Sequence, residues 1–416
     1  MPDEMLPPLQ TGPEPVEQAA LLATIVAIFR RALGQAAIGP QDDFFDLGGD
    51  SLLALTVMLE IHEATGQDLP ITTIYDASSA AAMTALLQAS APTPRTTCLI
   101  QFKPGTGTPL FIAHGLGGSV MELRELARRL DIAEPVYGIE ARGLDGLVPP
   151  LDRVEDMARF HLDEIRRLQP QGPYRLAGFS FGGLIALEMA QQLRLVGQSV
   201  AFLGLLDTYP HTRFWPLGSR LVATARISRF LLSPAMWRWS WRYHARILRS
   251  LPAAERQRYV VRRARRAVTI PFDILRAGSQ AGRFLRRAEV RSGTPTLTEI
   301  AIERVQRAGR AAFAAYCPVA YTGAVDFVKA TGETTISFDP CRLWRRLMPG
   351  MTVHRVPADH QGLVRGSVIP LAELLSRTLR RSEHASVETP RAVLARAPAA
   401  WSERFLPFAR RLRVSR

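Results

Sequence analysis

Gly178-Phe179-Ser180-Phe181-Gly182-Gly183 is the stretch on which the fold turns. Tyr174-Arg175-Leu176-Ala177 ahead of it reads as the end of a strand, and Leu184 to Ala190 behind it reads as a helix. A G-x-S-x-G run between strand and helix is a nucleophile elbow. Flanking glycines allow the sharp turn without a side-chain clash. The turn lifts the Ser180 hydroxyl above a sheet at a helix N-terminus, where backbone N–H groups can hold an oxyanion.

Outward from the elbow, strands and helices alternate from Cys98 onward, the grammar of a mostly parallel α/β sheet. Pro109 to Ala113 is a strand that leads into His114-Gly115-Leu116-Gly117-Gly118. A helix to Leu130, a strand Val136–Ile139, the loop Ala141-Arg142-Gly143-Leu144 and a helix Val154–Leu168 follow. Beyond the elbow helix, Val200–Leu206 is a buried strand ending in Asp207. Ala324–Val328 and Met351–Val356 are late strands, the second followed by Asp359-His360. The order Ser180, Asp207, His360 is the chain order of α/β-hydrolases. His114 is the rival base, read as structural because it opens the glycine-rich loop. Glu333 and Asp339 are rival acids one strand later, and Asp359 reads as a loop neighbour of His360.

Residues 98 to about 380 resemble the thioesterase domains that end nonribosomal peptide and polyketide assembly lines. The resemblance rests on His114 to Gly118, Tyr137-Gly138-Ile139 with Arg142-Gly143-Leu144, Gly178 to Gly183, Leu205-Leu206-Asp207 and Ala358-Asp359-His360. Gly115 stands where that family often has proline, and Ala358 where it often has glycine. The resemblance implies acylation of Ser180 with His360 as base and Asp207 orienting it. The backbone N–H groups of Leu116 and Phe181 are the expected oxyanion donors. Water or an internal nucleophile then releases the chain, and no metal is needed. Acyl transfer or cyclisation, and a carrier and docking module with a non-catalytic hydrolase half, are the alternatives.

Near the N-terminus, Val16–Leu33 carries apolar residues at helical spacing. Asp42-Asp43-Phe44-Phe45-Asp46-Leu47-Gly48-Gly49-Asp50-Ser51-Leu52 then leads into a second amphipathic helix, and Leu69-Pro70 to Leu87 reads as a loop and a further short helix. Ser51 falls at or near an N-cap, with helix-end N–H groups available to a phosphate. This stretch resembles the phosphopantetheine attachment site of acyl and peptidyl carrier proteins. The resemblance implies a four-helix fold, 4'-phosphopantetheine on Ser51, and a phosphopantetheinyl transferase that reads Asp50 and Leu52. With no adenylation, condensation or ketosynthase segment in the sequence, separate upstream enzymes are expected to load the acyl or peptidyl cargo.

The expected organisation is therefore a small all-α carrier domain over 1–88, a Pro-containing linker over 89–97, and an α/β-hydrolase domain over 98–380. A large helical lid is inserted at about 211–315, and a basic tail covers 381–416.

Charge divides along the same lines. Residues 1–90 hold 12 acidic and 2 basic side chains, whereas 211–310 hold 22 arginines and 5 acids, within a chain of net charge +14. The expectation is that the basic lid steers the acidic carrier. No nucleic-acid module accompanies the charge, so nucleic acid is not an expected partner. Lys103 and Lys329 are the two lysines, a bias that fits the base composition of a source genome. Three cysteines make neither a disulfide frame nor a zinc site, and no apolar run spans a bilayer or opens the chain as a signal. A cytoplasmic setting follows. In the tail, Trp401, Phe405, Phe408 and Leu412 lie at helical spacing among arginines, a pattern suited to an anionic membrane or to packing on the lid.

Overall fold

A computed structural model of the chain describes residues 15–49, 51–67, 69, 72–89, 97–215, 218, 297–332, 339–366 and 368–384. Asp50, Glu333, most of the linker, lid residues 216–217 and 219–296, and the tail beyond His384 lie outside the described residues. The chain divides into two compact units: Met1–Thr96 with Gly143–Val148 and Thr296–Ile302, and Thr97–Arg142 with Pro149–Pro295 and Glu303–Arg416.

The first unit is built from helices α1 (Pro15–Leu33), α2 (Ser51–Thr65), α3 (Thr73–Asp76) and α4 (Ala80–Gln88). Ile25, Ile28 and Phe29 on α1, with Val57 and Ile61 on α2, are buried at helical spacing. The loop between these helices adds Phe44, whose ring meets Phe29 edge-on at 5.5 Å. Phe45 stacks on Tyr75. The single short helix expected before Leu87 is two. Ser79 adopts an extended backbone and its hydroxyl accepts from Ala82 N–H at 3.2 Å, so a new helix begins at Ala80.

The second unit holds a seven-stranded sheet in the order β1-β3-β2-β4-β5-β6-β7. Its strands are β1 (Leu99–Lys103), β2 (Leu110–Ala113), β3 (Val136–Ile139), β4 (Tyr174–Phe179), β5 (Val200–Leu206), β6 (Val325–Ala330) and β7 (Met351–Val356). All neighbours run parallel except β1, which pairs antiparallel with β3. Edge strand β1 was not anticipated; its five residues alternate weakly and follow directly on the linker. Helices α5 (Arg124–Arg129), α6 (Val154–Leu168), α7 (Phe181–Leu195), α8 (Leu297–Ala315), α9 (Cys341–Leu347), α10 (Gly362–Arg365) and α11 (Val368–His384), with short 3-10 turns at Met121–Leu123 and Thr212–Phe214, complete the described elements. Helices α9 and α11 were not foreseen either, and α11 runs past residue 380.

Burial explains the order. Every residue of β4 is buried, as a central parallel strand covered on both faces requires. Helix α7 is buried along nearly its whole length, and α6 turns Val154, Met157, Ala158, Leu162 and Ile165 into the same core. The strands β4 and β5 therefore end in a rigid setting, and β6 and β7 extend it. Trp344 on α9, fully buried, donates its indole N–H to the Thr208 carbonyl at 2.9 Å, just past the end of β5. Trp344→Ala should destabilise this unit by about 3–5 kcal/mol through the cavity and the orphaned carbonyl, read as a lowered midpoint in urea unfolding.

Candidate active site

Ser180 lies between β4 and α7 with φ 57° and ψ −116°. The left-handed backbone falls on the serine itself and not on its neighbours. What the glycines provide is close approach. A Cβ on Gly178 would lie 2.1 Å from the Gly182 carbonyl oxygen, and one on Gly182 would lie 2.4 Å from those of Ala113 and His114. Ser180 N–H donates to the Leu206 carbonyl at 2.8 Å, which ties the turn to the end of β5.

Asp207 follows β5 at φ 45°, and His360 lies in the loop after β7. His360 Nε2 is 3.0 Å from Ser180 Oγ, and its Nδ1 is 2.7 Å from Asp207 Oδ2. All three side chains are buried. The Phe179 ring stacks on the imidazole at 4.8 Å. Asp207 Oδ1 accepts from Lys329 Nζ at 3.2 Å and from Ala330 N–H at 3.1 Å. Burial pushes the Asp207 carboxyl up. The His360 hydrogen bond and charge, the Lys329 ammonium and the Ala330 N–H outweigh it and hold the group below the ordinary carboxylate range. Lys329 also donates to Tyr209 Oη and lies over that ring.

The other candidates lie elsewhere. Asp359 accepts from Gly362 N–H at 2.6 Å within its own loop, and Asp339 accepts from Cys341 N–H at 3.0 Å at the start of α9. His114 is buried with Nδ1 2.7 Å from the Gly115 carbonyl. Leu116, in the loop after β2, and Phe181, which opens α7, line one cleft. Neither backbone N–H donates to an acceptor among the described residues. Lys329 and Tyr209 were not picked out from sequence; the rarity of lysine was the available signal.

In the first unit, Ser51 opens α2, and the first turn of that helix carries no acidic residue. The preceding loop is held in shape: Asp43 Oδ1 accepts from Phe45 N–H at 2.8 Å and Asp46 N–H at 3.0 Å, and Phe44 N–H donates to the Ser78 carbonyl. A serine at a helix start free of first-turn acids fits a phosphodiester, since the helix end favours negative charge.

Two family models match this chain. Residues 23–87 match the phosphopantetheine attachment site and residues 108–233 match the thioesterase domain. Along the chain, a phosphopantetheine-attachment match is thus followed by a thioesterase match. Among curated relatives, it is 35% identical over 191 residues to a dimodular nonribosomal peptide synthase of Bacillus subtilis, covering 46% of this chain and 8% of that protein. It is 36% identical over 183 residues to the indigoidine synthase of Dickeya dadantii, covering 44% of this chain and 12% of that one. It is 31% identical over 215 residues to component F of the enterobactin synthase of Escherichia coli, covering 50% and 17%. The chain thus spans a small part of each of these relatives. Among solved structures, a four-domain nonribosomal peptide synthetase bound to AMP and glycine aligns over 91% of this chain and 27% of its own, with TM-score 0.52 and 24% identity. That likeness is one of fold. Phosphopantetheine is the group a carrier domain of this kind holds. No helix among the described residues is long and apolar enough to cross a membrane.

Two predictions follow from the geometry of the thioesterase domain. A fluorophosphonate should label wild-type protein at Ser180, fail on Ser180→Ala, and react roughly tenfold more slowly with Lys329→Met, whose Asp207 loses one partner. Intact-mass kinetics read all three, and unchanged labelling of Lys329→Met would remove Lys329 from the site. The second concerns His114, which burial pushes down to about 4 against the opposing hydrogen bond with Gly115. An unfolded histidine binds its proton near 6.5, so the stability from this neutral ring is full above that pH and drains as pH falls towards 4. Its share is roughly 3 kcal/mol at most. Urea unfolding from pH 7 to 4 should show a shallower decline for His114→Phe than for wild type.

Proposed function

We propose that the chain releases an acyl or peptidyl group from a phosphopantetheine thioester through an acyl-serine on Ser180. The observation that carries this reading is the hydrogen-bonded run Ser180–His360–Asp207, with distances of 3.0 and 2.7 Å, gathered from the ends of β4, β7 and β5. His360 Nε2 takes the Ser180 proton as Oγ attacks the thioester carbonyl, and Asp207 holds the imidazole tautomer whose Nδ1 carries the hydrogen. Ser180 Oγ bonds to the acyl carbon, the C–S bond breaks, and His360 returns the proton to the departing thiolate. The amides of Leu116 and Phe181 hold the oxyanion. Water, activated by His360, then cleaves the ester. Phosphopantetheine on Ser51 would supply the thiol that carries the chain.

In this reading the carrier covers 1–88, the linker 89–97, the thioesterase 98–380 with the basic lid at about 211–315, and the tail 381–416. The partners are a phosphopantetheinyl transferase and upstream synthetase modules. The matches to the carrier and thioesterase families, in that order, support this arrangement.

The test is intact-mass analysis of protein loaded by a phosphopantetheinyl transferase with acyl-coenzyme A. Acyl mass should vanish from the wild type and persist on Ser51 in Ser180→Ala, and the product mass identifies water or another acceptor. Equal retention by both proteins, across a range of chain lengths, would sink the reading.

A further inference from the structure

Tyr209 follows Asp207 by two residues, on the segment that leaves the end of β5. The reaction proposed above gives its phenol no role, yet ring and hydroxyl both reach the run from Asp207 to Ser180. The ring meets the His360 imidazole edge-on, with centroids 6.4 Å apart. The hydroxyl accepts a hydrogen bond from Lys329 Nζ, whose stem comes from the neighbouring strand β6. Lys329 Nζ also donates to Asp207 Oδ1 at 3.2 Å, so one ammonium bridges the phenol and the carboxylate.

The phenol is itself held in place. Tyr209 is 7% exposed and packs with buried Trp215 and with Leu343 of α9. The Trp215 indole N–H donates to the Pro210 carbonyl at 3.0 Å, and the Thr208 carbonyl takes the Trp344 indole N–H. Backbone on both sides of Tyr209 is thus pinned, and its oxygen is a fixed acceptor.

A fixed acceptor is what this lysine lacks otherwise. An ammonium is a compact charge with rotatable donors on a flexible four-carbon stem. Its attraction for a carboxylate does not choose between two chemically equivalent oxygens. Here the choice matters, because Oδ2 lies 2.7 Å from His360 Nδ1. An ammonium that strays towards Oδ2 weakens the acceptor on which the imidazole depends. The Ala330 N–H also occupies Oδ1, at 3.1 Å, but it exerts no hold on the lysine. A second acceptor joined to Oδ1 through the same Nζ biases the ammonium to that oxygen.

Resting on the acyl-serine reading, we infer that Tyr209 is a positioning residue for the reaction. Its hydroxyl anchors the Lys329 ammonium at Asp207 Oδ1 and so keeps Oδ2 for His360. It touches no reacting atom; its effect reaches Ser180 through Lys329, Asp207 and His360 in turn. Deleting this one oxygen therefore slows acylation, and the loss depends on the lysine being present.

The test follows fluorophosphonate labelling of Ser180 by intact mass in the full chain, for Tyr209→Phe, Lys329→Met and the double variant. Phenylalanine keeps the ring with its packing on Trp215 and its edge contact with His360, and removes only the hydroxyl. Tyr209→Phe should label about fivefold more slowly than wild type. In the Lys329→Met background the same change should cost less than about twofold. A Tyr209→Phe rate equal to wild type overturns the inference. Losses that multiply in the double variant overturn it too, because Tyr209 then acts without the lysine. A second readout is the downfield Nδ1–H resonance of His360 in protein labelled with 15N-histidine. It should move in Tyr209→Phe, whose retained ring leaves ring-current effects in place, and an unmoved resonance counts against the inference. If wild type fails to label at all, the acyl-serine reading itself fails and the inference falls with it.

Discussion

Asp207 is the constraint on which the rest of the thioesterase domain depends. A carboxylate at 1% exposure is tolerable only with its lone pairs occupied. One oxygen meets His360, and the other meets both the Lys329 ammonium and the Ala330 amide. These partners arrive on β6 and after β7, so the strand order β5-β6-β7 is what brings them together. Asp207 N–H in turn donates to the Val328 carbonyl at 2.7 Å. With Oδ1 doubly engaged, Oδ2 is left to face the imidazole, and the imidazole is left to face Ser180. The serine's own N–H returns to the Leu206 carbonyl, one residue before Asp207, so both ends of the run share a strand terminus.

That terminus is strained at two places. Ser180 and Asp207 are the residues other than glycine with positive φ among those described. Each such conformation costs on the order of 1–3 kcal/mol and persists where the surroundings over-determine it. At Ser180 the surroundings are backbone: glycines at 178 and 182 let β4, α7 and the loop after β2 approach more closely than a Cβ permits. At Asp207 they are polar contacts, with Trp344 closing on the next carbonyl. The elbow is rigid through packing, and the carboxylate is rigid through hydrogen bonding.

The features that could be read from sequence were those with period or spacing. Alternation of strand and helix marked β2 to β7, and the glycines around Ser180 marked the elbow. Ser180 could be named from the elbow, and Asp207 and His360 from chain order and the resemblance to thioesterase domains; the three are hydrogen-bonded in the fold. What sequence hid was decided by tertiary contact. Strand β1 has a short, weak alternation and owes its place to pairing with β3. The break between α3 and α4 hangs on one serine hydroxyl.

The lysines show how composition can mislead. With 50 of the 52 basic side chains being arginine, the bias reads as a property of the genome, and the two exceptions pass as noise. Both hold positions that suit an ammonium. Lys103 Nζ donates to the carbonyls of Leu130, at 2.6 Å, and Ile132, at 2.8 Å, where α5 ends. Lys329 Nζ meets the Asp207 carboxylate and the Tyr209 hydroxyl. In each case one compact charge serves two oxygens that diverge, whereas a guanidinium is a planar fork suited to paired parallel acceptors. At Asp207 the difference bears on chemistry, because a fork spanning both carboxylate oxygens would compete with His360 for Oδ2. A point charge on Oδ1 leaves Oδ2 to the imidazole. In a chain so rich in arginine, lysine stands where a bidentate cation would disrupt the run from Asp207 to Ser180.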